Sequence, residues 1–384
     1  MKFKNLISIL IINFSTVCFL VSIVEILSSK FESNNTVEEN AFNNKKLIAY
    51  KEFEYQYELL DDDCNRNYFM VSDGDDIYFA DKNFSCPGVS VKEGKRYTLG
   101  NNDTAKTKIH IYGGSTVFGT GSIDSHTIPS LIQKYINENI GTKYTVINHG
   151  FASLVTKQQL SKLKKTDINK DDIVIFYDGG NDAFLSYIYE NMDGTIVGFN
   201  RKNKISFLFS RLRFYLSKRS SFYRFLSKLK NSKTSINNDA FCGPPFNESK
   251  ANKYVRNYLS NINLAREYTN KNDAKFFHFL QPVLGSGGLL MEDNYYPDVL
   301  LNGVKFNTNV GFDKCLIVNF SNYYQFKSKK YRDSKKEFNN DLSLIFKNNL
   351  KPQSHYFIDH IHITPIASEI VANKISEVVI KQLD

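Results

Sequence analysis

Beyond residue 106 the chain alternates short apolar runs with segments whose apolar residues recur every three or four positions. "TKIHIYGG" (107–114), "KYTVINHG" (143–150), "DDIVIFYDGGND" (171–182) and "AKFFHFLQPVL" (274–284) are too short and too continuously apolar for surface helices and predict buried strands. "TIPSLIQKYINENI" (127–140), "VTKQQLSKLKKT" (155–166), "NYLSNINLAREYTNKN" (257–272) and "TPIASEIVANKISEVVIKQL" (364–383) predict amphipathic helices. The last carries Pro365 in its first turn, where a missing N–H costs nothing. Strands apolar on both faces, alternating with helices, predict a central parallel sheet covered on both sides: a three-layer α/β/α sandwich. In such sheets ligands gather outside the carboxyl ends of the strands.

The pattern changes at the N-terminus. Leu6 to Leu27 is apolar, interrupted by small hydroxyls, Asn13 and Glu25, which is about the 20 residues a helix needs to cross a bilayer. Signal-peptide cores are shorter and end in a small-residue cleavage site, for which Ser28 and Ser29 are a poor match. Residues 1–30 therefore predict an uncleaved transmembrane anchor, with a cleaved signal and secretion as the alternative. Lys2 and Lys4 keep the N-terminus cytoplasmic and place the rest of the chain outside. Residues 31–46 form a polar tether. Residues 47–105, punctuated by Asp-Gly, Pro-Gly and Gly-Lys, predict a small β-rich segment ahead of the main domain at 106–384. No internal repeat is present.

Charge alters this picture at one place. The net +9 of the 384-residue chain is concentrated between Arg201 and Lys233, with eleven Lys or Arg and no Asp or Glu. The remainder is slightly acidic, so the charge marks one element with its own task, and for an exported, anchored domain no nucleic-acid partner is expected. Within this insert, Phe207, Leu208, Leu212, Tyr215 and Leu216 mark one helical face and Phe222, Phe225, Leu226 and Leu229 another. It reads as a helical pair packed on the domain, or as an interfacial pair on an anionic membrane surface, or as a lid. Outside the anchor, Cys64, Cys86, Cys242 and Cys315 are even in number, as two disulfides of an exported domain would require, and four buried thiols fit equally. Without C-x-x-C, a phosphate loop or H-E-x-x-H, zinc ribbons, nucleotide binding and zincin chemistry have no support.

Candidate chemistry sits at the strand ends. Ser115 follows the first strand in "GGST", Gly150 the second, and Asn181 the third in "GGND". A serine hydroxyl needs a base to take its proton and a third group to orient that base. Asp359 and His362, three apart before the closing helix, supply both. The Ser115 and Gly150 N–H groups and the Asn181 amide supply donors for an oxyanion. Taken singly, each has a structural reading as a turn, a helix cap or a buried histidine.

In this order the motifs resemble the SGNH (GDSL-type) hydrolase superfamily from about Lys108 to the C-terminus. The resemblance assigns Ser115 as nucleophile, Asp359 and His362 as the remaining triad members, and Gly150 and Asn181 as oxyanion residues. It departs at Gly114, where the family has aspartate. It implies a flavodoxin-like hydrolase fold, an acyl-enzyme route with no cofactor and no metal, and an acylated glycan, with O-acetyl first, or a small ester as substrate. Alternatives remain open: an O-acyltransferase or lipid esterase using the same triad, or a non-catalytic glycan-binding or assembly protein. His360 and His362 alternate, and with Asp359 or His355 they also have a metal-ligand spacing, so a metal-dependent hydrolase competes.

Overall fold

A computed structural model describes residues 70–73, 76–79, 82–86, 88–188, 199–200, 220, 244–284, 286, 300–301, 304–305, 312–334, 336–347, 355–358 and 361–383. The expected anchor, the tether and, apart from Ser220, the basic insert lie outside these residues, as do Cys64 and Cys242. Among the described residues no helix is long and apolar enough to cross a membrane.

An antiparallel hairpin of Met70–Asp73 and Asp76–Phe79 comes first, and three short antiparallel strands follow, β1 (Phe84–Cys86), β2 (Val89–Lys92) and β3 (Lys95–Arg96). The main sheet follows: β4 (Thr107–Gly113), β5 (Tyr144–Asn148), β6 (Ile173–Asp178), β7 (Lys275–Leu280) and β8 (Asn339–Asp341). All its pairings are parallel, in the order β8-β7-β6-β4-β5. The order reverses direction between β4 and β6. A doubly wound sheet opens a crevice at that point, beyond the strand ends.

The expected strand alternation is visible as two cores. Ile173, Ile175 and Tyr177 of β6 face α2 (Ile128–Ile140) and α7 (Pro365–Ile380), while Val174 and Phe176 face the opposite cluster. That second cluster is built on α3 (Thr156–Leu163), α5 (Glu248–Lys271) and α6 (Phe312–Asp333). Burial on both faces explains why these strands read as continuous apolar runs.

Two elements depart from the sequence expectation. α5 starts nine residues earlier than position 257, because Asn247 caps it by accepting from the Lys250 N–H at 2.9 Å. α6 and β8 were not foreseen. The buried stripe of α6 is built from tyrosines and a lysine among polar neighbours, and β8, an edge strand, is Asn-Asn-Asp.

The small β segment is tied into the main domain by Arg96, whose side chain is fully buried. Its Nε donates to Asp124 Oδ1 at 2.9 Å and its Nη1 to the carbonyls of Phe118 (3.1 Å) and Gly119 (2.6 Å). Nη2 donates to those of Gly88 (3.2 Å) and Ser122 (2.6 Å). All of these acceptors except Gly88 lie in the loop that leaves the first strand end.

Candidate active site

β4 runs directly into a single helical turn, α1 (Ser115–Phe118), with extended Gly114 (φ −79°, ψ −154°) at its N-cap. Ser115 is thus the first helical residue, and its N–H has no carbonyl within the helix to bond. The residue is 7% exposed.

The partner comes from the far end of the chain. A narrow hairpin is closed by the Ile358 N–H on the His362 carbonyl (2.9 Å) and the Thr364 N–H on the Tyr356 carbonyl (2.9 Å), with a bridge between Phe357 and Ile363. Thr364 then caps α7 by accepting from the Ala367 N–H at 3.3 Å, with Pro365 in the first turn. So held, His362 Nε2 lies 2.6 Å from Ser115 Oγ, across 247 positions of sequence. Asp359 and His360 lie outside the described residues.

Asn181 is delivered by α4 (Gly180–Ala183), the turn that follows β6, capped by left-handed Gly179. Its Nδ2 donates to the Leu154 carbonyl at 3.0 Å, which leaves the second amide hydrogen for another acceptor. A Cβ on Gly114 would sit 2.2 Å from that same nitrogen, so the residue beside Ser115 is glycine because the Asn181 amide fills the space. That contact also excludes a family-type aspartate at 114 without movement of Asn181.

Gly150 is placed differently from its expected role. Its N–H donates to Asn148 Oδ1 at 2.8 Å, and is therefore engaged within its own loop. The glycine is required for packing, since a Cβ would meet the Phe118 nitrogen at 2.3 Å. Three residues on, Ser153 holds a left-handed conformation (φ 58°), and its N–H has no hydrogen-bond partner among the described residues. Its neighbour Leu154 carries the carbonyl that anchors Asn181.

Beneath these loops lies a buried charged cluster. Asp182 accepts the Thr156 N–H with both carboxylate oxygens at 3.1 Å, joining the third strand-end turn to the start of α3. Burial raises its pKa to about 6, against the pull of the Lys327 ammonium and with help from the Asp178 charge. Burial would also raise Asp178, but the opposing effect of His278 (Nε2 to Oδ1, 3.0 Å), Lys327 and the Tyr258 hydroxyl (2.8 Å) wins and holds it low.

His110, His149 and His278, which stand singly in the sequence, are core residues, while His126 is half-buried. His110 Nδ1 and His149 Nε2 are 3.0 Å apart, with Asp172 Oδ2 3.4 Å from His110 Nε2. Burial, followed by the neighbouring His110, keeps His149 well below the usual imidazole range and so neutral. Among the described residues no group of three His, Cys, Asp or Glu is placed to hold a metal ion.

No family model and no curated protein matches the chain by sequence. Among solved structures, the chain is similar to a member of the lipolytic protein G-D-S-L family from Veillonella parvula DSM 2008, at 11% identity over 71% of this chain and 97% of that one, with a TM-score of 0.36. It is similar to the acetyl xylan esterase AlAXEase at 14% identity, over 71% and 99% of the two chains and with a TM-score of 0.36. A third likeness is to a catalytic mutant of Axe2, an acetylxylan esterase from Geobacillus stearothermophilus, at 10% identity, 71% and 93% coverage and a TM-score of 0.36.

Proposed function

We propose that the protein is a serine ester hydrolase acting through an acyl-enzyme. The observation that carries this reading is the 2.6 Å contact between Ser115 Oγ and His362 Nε2. It lies where the sheet order reverses, beside a serine N–H at a helix start and an asparagine amide with a hydrogen to spare. Ser115 Oγ attacks the ester carbonyl while His362 Nε2 takes its proton. The same proton then passes to the leaving alcohol oxygen. Asp359, three residues before His362, orients the imidazole. The tetrahedral oxyanion is met by the Ser115 N–H and the Asn181 amide, while the Gly150 N–H first expected beside them is held by Asn148. Water, activated by the now neutral His362, attacks the acyl-Ser115 carbonyl and releases the acid. Every step uses groups of this chain and needs no cofactor.

The finer reading is removal of small acyl groups, acetyl first, from a cell-surface or secreted glycan. In this reading the domain is held outside the membrane by residues 1–30, with the N-terminus in the cytoplasm. It rests on the motif order and on the apolar N-terminal run. The test is turnover of p-nitrophenyl esters from acetate to octanoate by the full chain in detergent, with Ser115→Ala and a chelator alongside. Activity on the short esters, abolished by Ser115→Ala and indifferent to chelator, is expected. A folded protein without turnover would favour the acceptor-dependent acyltransferase or the binding role. Loss of activity to chelator would point to a metal at the histidines.

A further inference from the structure

α6 buries a lysine. Lys327 is 0% exposed, its Nζ donates to the Gly179 carbonyl at 2.7 Å, and it lies 3.4 Å over the centre of the Tyr258 ring. An ammonium is costly to bury, and an apolar side chain would serve packing better, so its return must be sought in what it holds. Gly179 is the left-handed cap (φ 114°) of the turn Gly180–Ala183 that carries Asn181. That carbonyl also accepts the Ala183 N–H at 3.1 Å, so the lysine grips the turn at its base. The other flank is fixed by Asp182 on the Thr156 N–H. Between the two anchors Asn181 has one reach left, to the Leu154 carbonyl and over Gly114.

We infer that Lys327 is a positioning residue for catalysis, fixing the Gly179–Asn181 turn so that the Asn181 amide stands in place before the oxyanion forms. The inference rests on the esterase reading. It deepens that reading by assigning a task to a helix of which no described side chain touches the reacting atoms. Preorganisation of this kind is where an oxyanion donor has its value, because a donor that must first move into place stabilises the transition state less. The groups that face Lys327 support a charged state. Burial lowers the ammonium to about 8, while the Asp182 and Asp178 carboxylates oppose the loss of its proton. Tyr258 and Tyr324 close the remaining sides, and the Tyr258 hydroxyl and His278 are occupied with Asp178.

The experiment is a double-mutant cycle on the full chain, combining Lys327→Met with Asn181→Ala. Turnover of p-nitrophenyl acetate is read, as is covalent labelling of Ser115 by a fluorophosphonate. Losing an oxyanion donor costs about 100-fold or more in kcat, and losing its positioning is expected to cost about 10- to 100-fold with KM within about twofold. The decisive expectation is that the double variant is no slower than Asn181→Ala alone. Multiplying losses, or full kcat in a Lys327→Met protein that unfolds cooperatively, would overturn the proposal, since a merely structural lysine would lower stability and act independently of Asn181. Should Lys327→Met not fold, Lys327→Arg carries the same cycle. It keeps the cation but cannot seat a planar head where an ammonium fits, and the same masked loss in kcat is expected. A parent protein that neither turns over nor labels would overturn the esterase reading and this inference together. A labelled parent with multiplying losses would overturn this inference alone.

Discussion

At residue scale the site depends on what occupies the space beside Ser115. A methyl group at 114 would overlap only the end of the Asn181 side chain and stand in ordinary contact, at 3.6 Å, with the Leu154 carbonyl, so it displaces the amide without displacing backbone. Gly114→Ala is accordingly expected to lower kcat by about 100-fold, the loss typical of one oxyanion donor, while changing the urea midpoint little. Unchanged turnover would mean that Asn181 takes no part. Ser153 makes the complementary case. Its φ of 58° is easy for glycine and strained for serine. Ser153→Gly should keep kcat and gain roughly 0.5–1 kcal/mol, read from equilibrium unfolding. A collapse of kcat would show that the hydroxyl is the working group.

At element scale, the strand-end loops are held by buried polar groups brought from elsewhere in the chain. Arg96 satisfies four backbone carbonyls and one carboxylate, three of those carbonyls in the loop after the serine turn. Arg96→Met would leave those carbonyls without their donor and is expected to cost about 3–5 kcal/mol, measured by urea unfolding. Arg96→Lys should recover only part of this, because three donors on one nitrogen cannot reach the same spread of acceptors. Asp182 gives a pH signature. Its carboxyl has an ordinary pKa of 3.8 and is pushed up to about 6 in the folded protein by burial. The folded state therefore binds the proton more tightly, and stability from this group is present at acid pH and lost as pH rises through about 6. Asp182→Asn, which imitates the protonated form, should gain stability relative to the parent protein between pH 4 and pH 7. A constant difference across that range would contradict the raised pKa.

At the scale of the whole molecule, the catalytic proposal joins residue 115 to residue 362 and depends on the closing hairpin and α7 packing against α2 in the core they share on one face of the sheet. β1 and β2 also belong to this unit, since Val91 packs with Phe118, Phe151 and Leu154 around the serine turn, with Phe84 against them. The expected boundary at 105 is thus a boundary of pattern and not of folding. Removing residues 1–45 should leave ester hydrolysis intact, whereas removing 1–105 should abolish cooperative unfolding as seen by circular dichroism. If the shorter protein still unfolded cooperatively, the small β segment would be dispensable.

Much of this was legible in one dimension, for a physical reason. A strand buried on both faces must be apolar throughout, a helix lying on a sheet must repeat its apolar residues every turn, and both leave their mark locally. Four of the five main strands and the helices α2, α3, α5 and α7 were visible in this way, as were Ser115 and Asn181 as chemically suggestive residues at strand ends and His362 ahead of the closing helix. The sequence did not show α6, whose buried stripe mixes tyrosines with Lys327, or β8, whose polar residues follow no alternation. It did not show that His110 and His149 pair in the core, that Arg96 in an exposed-looking hairpin is buried, or that the Gly150 N–H is engaged by Asn148. Each of these depends on which partner lies across the fold. Composition and periodicity record whether a residue meets water, and thereby determined the layers and the sheet. The partner of a buried polar group is chosen by distances between segments far apart in the chain, and only the tertiary structure decided those.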